Sequence, residues 1–289
     1  MEKRTILIQI DTDQHPSVFD RVVAVDAGVD ELFSYGGVQP ADVQGLVHGA
    51  IFTRKLDDLK RTAIFIGGSN VDAAEALVAE ARKSMIPPAN LQVSVLMDAN
   101  GCNTTASAAV LAAGQHLELG TTKAIVLGGT GPVGQRVARL LARQGATVRV
   151  ASRKQDRAVG VCEAVKARVE GAMLEPVGVG SPEDLRAAMQ GQQLVVAAGA
   201  AGITLLPEVA RKQASDLKVA IDLNAVPPLG IEGVGVTDKA KEIDGIIGYG
   251  AIGVGGTKMK IHRAAIARLF QANNQVMDAE EVYAIGVES

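Results

Sequence analysis

An α/β fold is what this sequence predicts, and three observations carry the prediction. Apolar, β-branched runs such as RTILIQI (4–10) and TAIFIGG (62–68) alternate with segments of helical character, the pattern of a parallel sheet. Glycine is plentiful, 32 of 289 residues, while aromatic residues make up only 3%, a mixture suited to many tight strand-to-helix turns. The stretch from Lys123 to Lys154 reads as strand, glycine turn, helix, strand, with Gly129, Gly131 and Gly134 in the G-x-G-x-x-G spacing.

That last stretch organises the chain. Gly129 would permit the tight turn, Gly131 would let the backbone approach a pyrophosphate, and Gly134 would let the helix pack closely on the strand. Thr130, Pro132 and Val133 complete a cradle at a helix start, whose N–H groups and positive dipole end suit phosphate. The residues after the second strand set the nucleotide type. NAD sites place an acid there, roughly 20 residues on. Here stand Ser152, Arg153 and Lys154, with no acid before Asp156. Arginine stacks on and hydrogen-bonds a 2′-phosphate that a carboxylate would repel, so the turn predicts NADP, with NAD as a weaker alternative.

Length and composition narrow the class. The chain can hold two domains of ordinary size. Its 29 basic and 32 acidic residues leave a net charge of −3, which argues against nucleic-acid binding through phosphate contacts. No apolar run is long enough to span a membrane, and MEKRTILIQID begins a strand rather than a signal peptide. Cys102 and Cys162 have no metal-ligand spacing, and with only four histidines the expectation is a cytoplasmic protein without a structural metal.

In chain order, residues 4–10 form a first buried strand, and Ser17 caps a helix with Asp20 in its first turn, stopping at Gly28. A strand (ELFSYGG), a helix (PADVQGLVHGAI) and the strand TAIFIGG follow. A helix from Asn70 to Met85 is ended by Pro87-Pro88, before the strand VSVLMD. Asp98 to Thr105 is read as a polar loop, and therefore a ligand wall, because ligands bind outside the carboxyl ends of open parallel sheets. A long alanine-rich helix then runs to Gly120. The domain boundary falls near 119: residues 1–119 make the substrate-side domain, completed by C-terminal helices in 257–289, and 120–256 the Rossmann-type doubly wound domain.

Within 120–256, Ser181-Pro182-Glu183-Asp184 is a helix start. The strand QLVVAAG ends at Ala198 and Gly199, followed by small residues against which a nucleoside could lie. LKVAIDLNA delivers Asp222 and Asn224 to the same edge. GIIGYGAIGVGG sets Gly250 and Ile252 at the end of a last strand, where a nicotinamide could approach. A helix is expected from Thr257 through Phe270, so that Lys258, Lys260, His262 and Arg263 stand at its start and face an anionic or carbonyl-bearing ligand. A second helix starts with Asp278 as its cap.

With these residues read, the chain resembles the bacterial NAD(P)-dependent methylene-tetrahydromethanopterin dehydrogenases over essentially its whole length. The resemblance is carried by QIDTDQHPSVFD (9–20), AIFIGG (63–68), MDANGCNTTA (97–106), VLGGTGPVGQR (126–136), DLNAVPPLGIEG (222–233), GAIGVGGTKMKIHRA (250–264) and DAEEVY (278–283). It implies two α/β domains with a cleft between them, NADP on the second domain, and hydride transfer from the methylene carbon of the pterin. It also implies that Asp20 stabilises the developing cation and that Lys258 binds the pterin head. Phe19, Asn103, Thr104, Thr105 and Lys260 would line the same site. Family habit and the apolar excess suggest a homo-oligomer. Some family members accept the tetrahydrofolate analogue. A methylene-tetrahydrofolate dehydrogenase with cyclohydrolase activity would need a catalytic Tyr and Lys in the first domain; Tyr35 and Lys55 are present, but not in a recognised spacing. A non-enzymatic NADP sensor would show a degraded substrate loop, whereas Asp20, Asn103 and Lys258 are intact.

Overall fold

The structure is a computed structural model and describes residues 3–289; Met1 and Glu2, counted above in the first domain, lie outside the described residues. The chain divides into two compact units, Met1–Thr104 with Met259–Ser289, and Thr105–Lys258.

The first unit opens with β1 (Ile6–Asp11), α1 (Val18–Asp26), β2 (Glu31–Tyr35), α2 (Pro40–Phe52), β3 (Thr62–Gly67), α3 (Val71–Lys83) and β4 (Ser94–Met97). β3 and β4 are buried at every position, as expected of parallel strands covered on both faces. Helix starts follow local chemistry. The Ser17 side chain accepts from the Asp20 N–H, and that of Asn70 from the Ala73 N–H. Gly28, at φ +85°, follows the end of α1 in the left-handed conformation that glycine adopts without strain.

Next comes α4 (Cys102–Gly114), then the second unit's strands and helices: β5 (Lys123–Leu127), α5 (Pro132–Arg143), β6 (Thr147–Ser152), α6 (Gln155–Lys166), β7 (Met173–Gly178), α7 (Pro182–Met189), β8 (Leu194–Ala197), α8 (Glu208–Gln213), β9 (Val219–Asp222), β10 (Lys241–Ile243) and β11 (Ile246–Tyr249). The sheet order is β10-β11-β9-β8-β5-β6-β7. Its six parallel strands, read from β7, follow the order 3-2-1-4-5-6 of a dinucleotide-binding sheet; β10 adds an antiparallel edge. Asp244 and Gly245, both at positive φ, make the tight β10–β11 turn.

The chain closes through α9 (Ala251–Arg268), β12 (Val276–Met277) and α10 (Ala279–Glu288). β12 pairs with β4, so the first unit's sheet has the order β12-β4-β3-β1-β2, all parallel. This is a 2-1-3-4-5 arrangement, whose strand order reverses between β1 and β3.

Two expectations need correction. The last long helix starts at Ala251, not Thr257, because Gly253, Gly255 and Gly256 are helical residues rather than turn residues. A Cβ on Gly253 would lie 1.8 Å from the Asp238 carbonyl oxygen, so this glycine lets the helix start press on backbone. Lys258 and Lys260 therefore stand inside α9, away from its N-terminus. The second correction is at α4, which stops at Gly114; a 3-10 turn, Leu119–Thr121, occupies what was read as its final turn. Among the described residues, no helix is long and apolar enough to cross a membrane, and no group of three or more His, Cys, Asp or Glu could hold a metal ion.

Candidate active site

In the second unit, β5, β6, β8, β9 and β11 all end on one edge of the sheet. The glycine turn after β5 differs in detail from its sequence reading. Gly128, at φ +70°, is the residue that needs left-handed freedom, and a Cβ there would come within 2.6 Å of the Gly199 backbone. Gly129 gives close packing instead: a Cβ would lie 2.8 Å from Val150 Cγ1 and 2.9 Å from the Val126 oxygen. At Gly134 a Cβ would meet the Gly128 oxygen at 2.5 Å and Gly129 Cα at 2.8 Å, as close helix–strand packing requires.

Gly131 is different. It caps α5 at φ −77°, and a Cβ would meet only the Gly128 and Ala198 oxygens, at 3.5 and 3.6 Å. Neither strain nor crowding within the chain demands glycine there. The open space above it fits a phosphate seated on the start of α5. Thr130 accepts a bond from Gln135 Nε2 through its carbonyl, which leaves its side chain uncommitted to that contact; Pro132 is exposed and Val133 half-buried in the first turn.

At the end of β6, Ser152 is buried while Arg153 and Lys154 are exposed. Neither cation has an ion-pair partner among the described residues, so both are available to a phosphate dianion. These features fit NADP: Gly128 to Gly134 would hold the pyrophosphate, and Arg153 and Lys154 the 2′-phosphate.

Beyond the switch point, Ala198 is tied to β5 through its N–H to the Leu127 oxygen (2.8 Å), and Gly199 lies backbone to backbone with Gly128. Asn224 is almost fully buried and spends its amide on its own loop: Nδ2 donates to the Pro228 oxygen (3.1 Å) and Oδ1 accepts from the Val226 N–H (2.9 Å). Asp222 anchors that loop, accepting from the Asn224 and Ile231 N–H groups at 3.0 and 2.9 Å. Burial pushes its carboxyl above the ordinary carboxylate range, and the N–H bonds only partly offset this. Gly250 is glycine because a Cβ would lie 2.1 Å from the Gly235 oxygen, whereas Ile252 is largely exposed in the first turn of α9.

In the first unit, the edge at the β1/β3 reversal collects acidic groups. Asp11 ends β1 fully buried; its carboxylate accepts from the Asp13 N–H (2.8 Å) and the Ser17 N–H (3.0 Å), tying the loop to the start of α1. The Asp13 carboxylate accepts from the Ser69 N–H and hydroxyl at 2.9 and 2.8 Å, bridging the loops after β1 and β3. Asp20 faces the same place: a methyl group on Gly67 would lie 3.4 Å from an Asp11 oxygen and 3.5 Å from an Asp20 oxygen. Phe19 is half exposed, and its ring lies 6.1 Å from that of His262.

Sequence reading gave Asp11 and Asp13 no role here, and placed His262 only in a basic group at a helix start, not beside Asp20. The signal available for the aspartates was a pair of acids, Asp11 and Asp13, at the end of a largely apolar strand, in the motif QIDTD.

The predicted substrate loop is a helix start. Asp98 is buried and caps α4, accepting from the Asn103 and Thr104 N–H groups (2.8 and 3.0 Å) and from the Thr104 hydroxyl (2.6 Å). Asn103 Nδ2 donates to the Met97 oxygen at 2.6 Å. Asn103 and Thr104 are thus fully buried and bonded to their own turn; Thr105 retains partial exposure. On α9, Lys258 is half-buried one turn before His262 and shares its face. Lys260, two residues on and so about 200° around the helix, is exposed on another face. The structure therefore does not bring the two lysines together.

Comparisons with known proteins place the chain in a family. Residues 18–100 match the family described as "Methylene-tetrahydromethanopterin dehydrogenase, N-terminal". The chain is 42% identical over 289 residues to the "Bifunctional protein MdtA" of Methylorubrum extorquens, covering 99% of each chain. It is 33% identical over 295 residues to the "NAD(P)-dependent methylenetetrahydromethanopterin dehydrogenase" of the same organism, covering 99% of this chain and 98% of that one. Among solved structures, quinate dehydrogenase from Corynebacterium glutamicum in complex with NAD is similar with a TM-score of 0.51 at 15% identity, covering 99% of both chains. Ligand-free 5-ketofructose reductase of a Gluconobacter strain gives 0.50 at 13% identity, again over 99% of both. At such identities these two likenesses show the fold alone, an α/β chain with two sheets.

Proposed function

Because the chain belongs to the methylene-tetrahydromethanopterin dehydrogenase family, we propose that it oxidises methylene-tetrahydromethanopterin to the methenyl form with NADP. The observation that carries this reading is the match, over 99% of this chain, to a relative named as an NAD(P)-dependent methylenetetrahydromethanopterin dehydrogenase, together with the family match of residues 18–100. We assign the nucleotide to the domain drawn from the sequence as 120–256, and the pterin to the domain 1–119 with 257–289.

Bound there, NADP supplies the acceptor for a hydride. The methylene carbon gives up that hydride with both bonding electrons, and the lone pairs of its two nitrogen neighbours delocalise the resulting positive charge. No general acid or base is obligatory. The chain's task is to hold donor and acceptor carbons about 3–3.5 Å apart, with charges aimed at the developing cation. Asp20, only 15% exposed, provides a carboxylate whose field is weakly screened by water. Lys258 is assigned to the pterin head, and Phe19 and Thr105 to its walls. Gly131, Arg153 and Lys154 secure the nucleotide; Ala198, Gly199 and Ile252 border the way to its nicotinamide end.

The cyclohydrolase alternative is disfavoured by topology. Tyr35 ends β2 at the carboxyl edge of the first unit's sheet, whereas Lys55 lies beyond the far end of α2. Thirteen helical residues, about 20 Å, intervene. Use of the tetrahydrofolate analogue is a part of the proposal that rests on the family resemblance. Homo-oligomerisation rests on that and on the apolar excess, and a cytoplasmic location on the cysteine usage and N-terminal reading given above.

The test is a spectrophotometric assay of the purified protein with methylene-tetrahydromethanopterin and with methylene-tetrahydrofolate, each with NADP and NAD. Turnover with the methanopterin and NADP is expected. Turnover with the folate alone would move the protein to the alternative reading, and silence in all four would refute the dehydrogenase assignment.

A further inference from the structure

One buried ionisable group beside the first unit's carboxylates has no part in the chemistry described so far. His262, on the inner face of α9, is 1% exposed. Its ring packs against Phe65 of β3, with centroids 5.7 Å apart and planes at 26°, and against Phe19 of α1, at 6.1 Å and 30°. Its Nε2 lies 3.9 Å from Asp20 Oδ1. The ring therefore joins an apolar aromatic surface to the carboxylate assigned to the developing cation. A histidine needed only to fill the space beside two phenylalanines would be outperformed by an apolar side chain, which has no polar nitrogens to desolvate.

We propose that His262 is a positioning residue for Asp20: held by Phe19 and Phe65, its imidazole fixes the orientation of the carboxylate and sets whether that carboxylate acts with its full negative charge. The proposal rests on the role given to Asp20 above. With a neutral imidazole, Asp20 presents a whole charge to the substrate cation. With an imidazolium, the two charges pair, and the field at the reacting carbon falls. The neighbouring charges frame this couple. From α1 come Asp20 and Arg21, whose Nε donates to Gln9 Oε1. From β1 comes Asp11, next to Asp20 across Gly67. Lys258 and Arg263 lie on α9 itself, and β3 (TAIFIG) contributes no charged residue.

The experiment uses the full-length protein and three variants: His262→Phe, His262→Gln and Asp20→Asn. Phe preserves the aromatic packing and removes both nitrogens; Gln restores an amide nitrogen near the position of Nε2 but does not titrate. His262→Phe should fold with an unchanged or higher Tm and an unchanged KM for NADP, yet lose about 10- to 100-fold in kcat, the scale of losing a group that orients a functional side chain. His262→Gln should recover most of the kcat and lose the acid limb of the kcat–pH profile. Wild-type kcat in His262→Phe would overturn the proposal. If Asp20→Asn keeps wild-type kcat, the Asp20 role falls, and the His262 proposal falls with it.

A second readout is independent of turnover. Of the four histidines, the ring-proton NMR signal absent from His262→Gln identifies residue 262. In Asp20→Asn its titration should move to lower pH by about half a unit or more, because an adjacent carboxylate favours the imidazolium. A titration unmoved by Asp20→Asn overturns the couple. Should the wild-type protein be inactive with either pterin, the dehydrogenase reading alone is lost, and the NMR result judges the pairing.

Discussion

Gly131→Ala and Gly134→Ala should fail in opposite ways, though they are three residues apart in one motif. At Gly134 the new methyl carbon would lie 2.5 Å from the Gly128 oxygen and 2.8 Å from Gly129 Cα, both rigid backbone atoms. Ordinary contact would require the start of α5 to move off the turn by about 1 Å, an overpacking cost of about 1–3 kcal/mol. At about 2–4 °C per kcal/mol, Tm should drop by roughly 2–12 °C. At Gly131 the nearest atoms, at 3.5 and 3.6 Å, already stand at van der Waals distance, and φ −77° suits alanine. Reduced freedom of the unfolded chain should even stabilise this variant by about 0.4–1 kcal/mol. Its methyl would occupy space assigned to the pyrophosphate. The same overpacking cost, now charged to the ligand, weakens NADPH by about 5- to 150-fold. Calorimetry without nucleotide and fluorescence titration with NADPH separate the effects. Gly131→Ala binding NADPH like wild type would remove the phosphate from this turn, and an equal loss of Tm in both variants would refute the reading of Gly131.

Further outcomes are expected. Arg153→Asp should raise KM for NADP by roughly 30- to 150-fold, the equivalent of about 2–3 kcal/mol from a lost charge-assisted bond and added repulsion; an unaltered KM would show that the 2′-phosphate lies elsewhere. Asp20→Asn and Lys258→Ala should each cut pterin-dependent kcat by about 100-fold or more while NADPH titrations match wild type. If both keep wild-type turnover, the pterin site is misplaced. Ser181→Ala removes the acceptor of the Asp184 N–H (3.1 Å) at the start of α7 and should cost about 1 kcal/mol without changing turnover. Asp222 has a folded-state pKa above its unfolded value, so between the two the folded protein binds more protons. Its contribution to stability therefore declines as pH rises from the ordinary aspartate range, about 3.9, through the raised value. In Asp222→Asn that part of the Tm–pH curve should flatten; an identical curve would show that the carboxyl does not titrate there.

Strands such as β3 and β4 were legible because complete burial makes them continuous apolar runs. The short edge strands β10 and β12 carry too few residues to show a pattern and go unread. The caps were legible because Ser17, Asn70 and Ser181 are small polar residues at helix starts. What the sequence obscured has physical causes. Glycines in AIGVGGTKMK resemble a turn, yet Gly253 serves close packing inside a helix, and the resulting shift moved Lys258 and Lys260 off the helix start. Gly128 looks like a passive neighbour of the G-x-G-x-x-G spacing; only its φ reveals which residue makes the turn. Asn103 and Thr104 have the composition of a ligand loop, but the buried Asp98 draws them into a helix start. His262 resembled one member of a basic cluster, because nothing local indicates that α9 returns to the rings of Phe65 and Phe19.

The first unit is assembled from two separated pieces of chain, and this orders events during synthesis. Its edge strand β12 and the half of α9 that carries His262 leave the ribosome after all of the second unit. From Thr104 to Met259 the ribosome adds 155 residues, which takes about 8–31 s at ordinary elongation rates. Throughout that interval β4 has an open edge and Phe65 lacks its aromatic neighbour from α9. A nascent chain stalled before Met259 would hold every residue of the glycine turn and all three aspartates of the β1/β3 edge, but neither His262 nor the strand that covers β4.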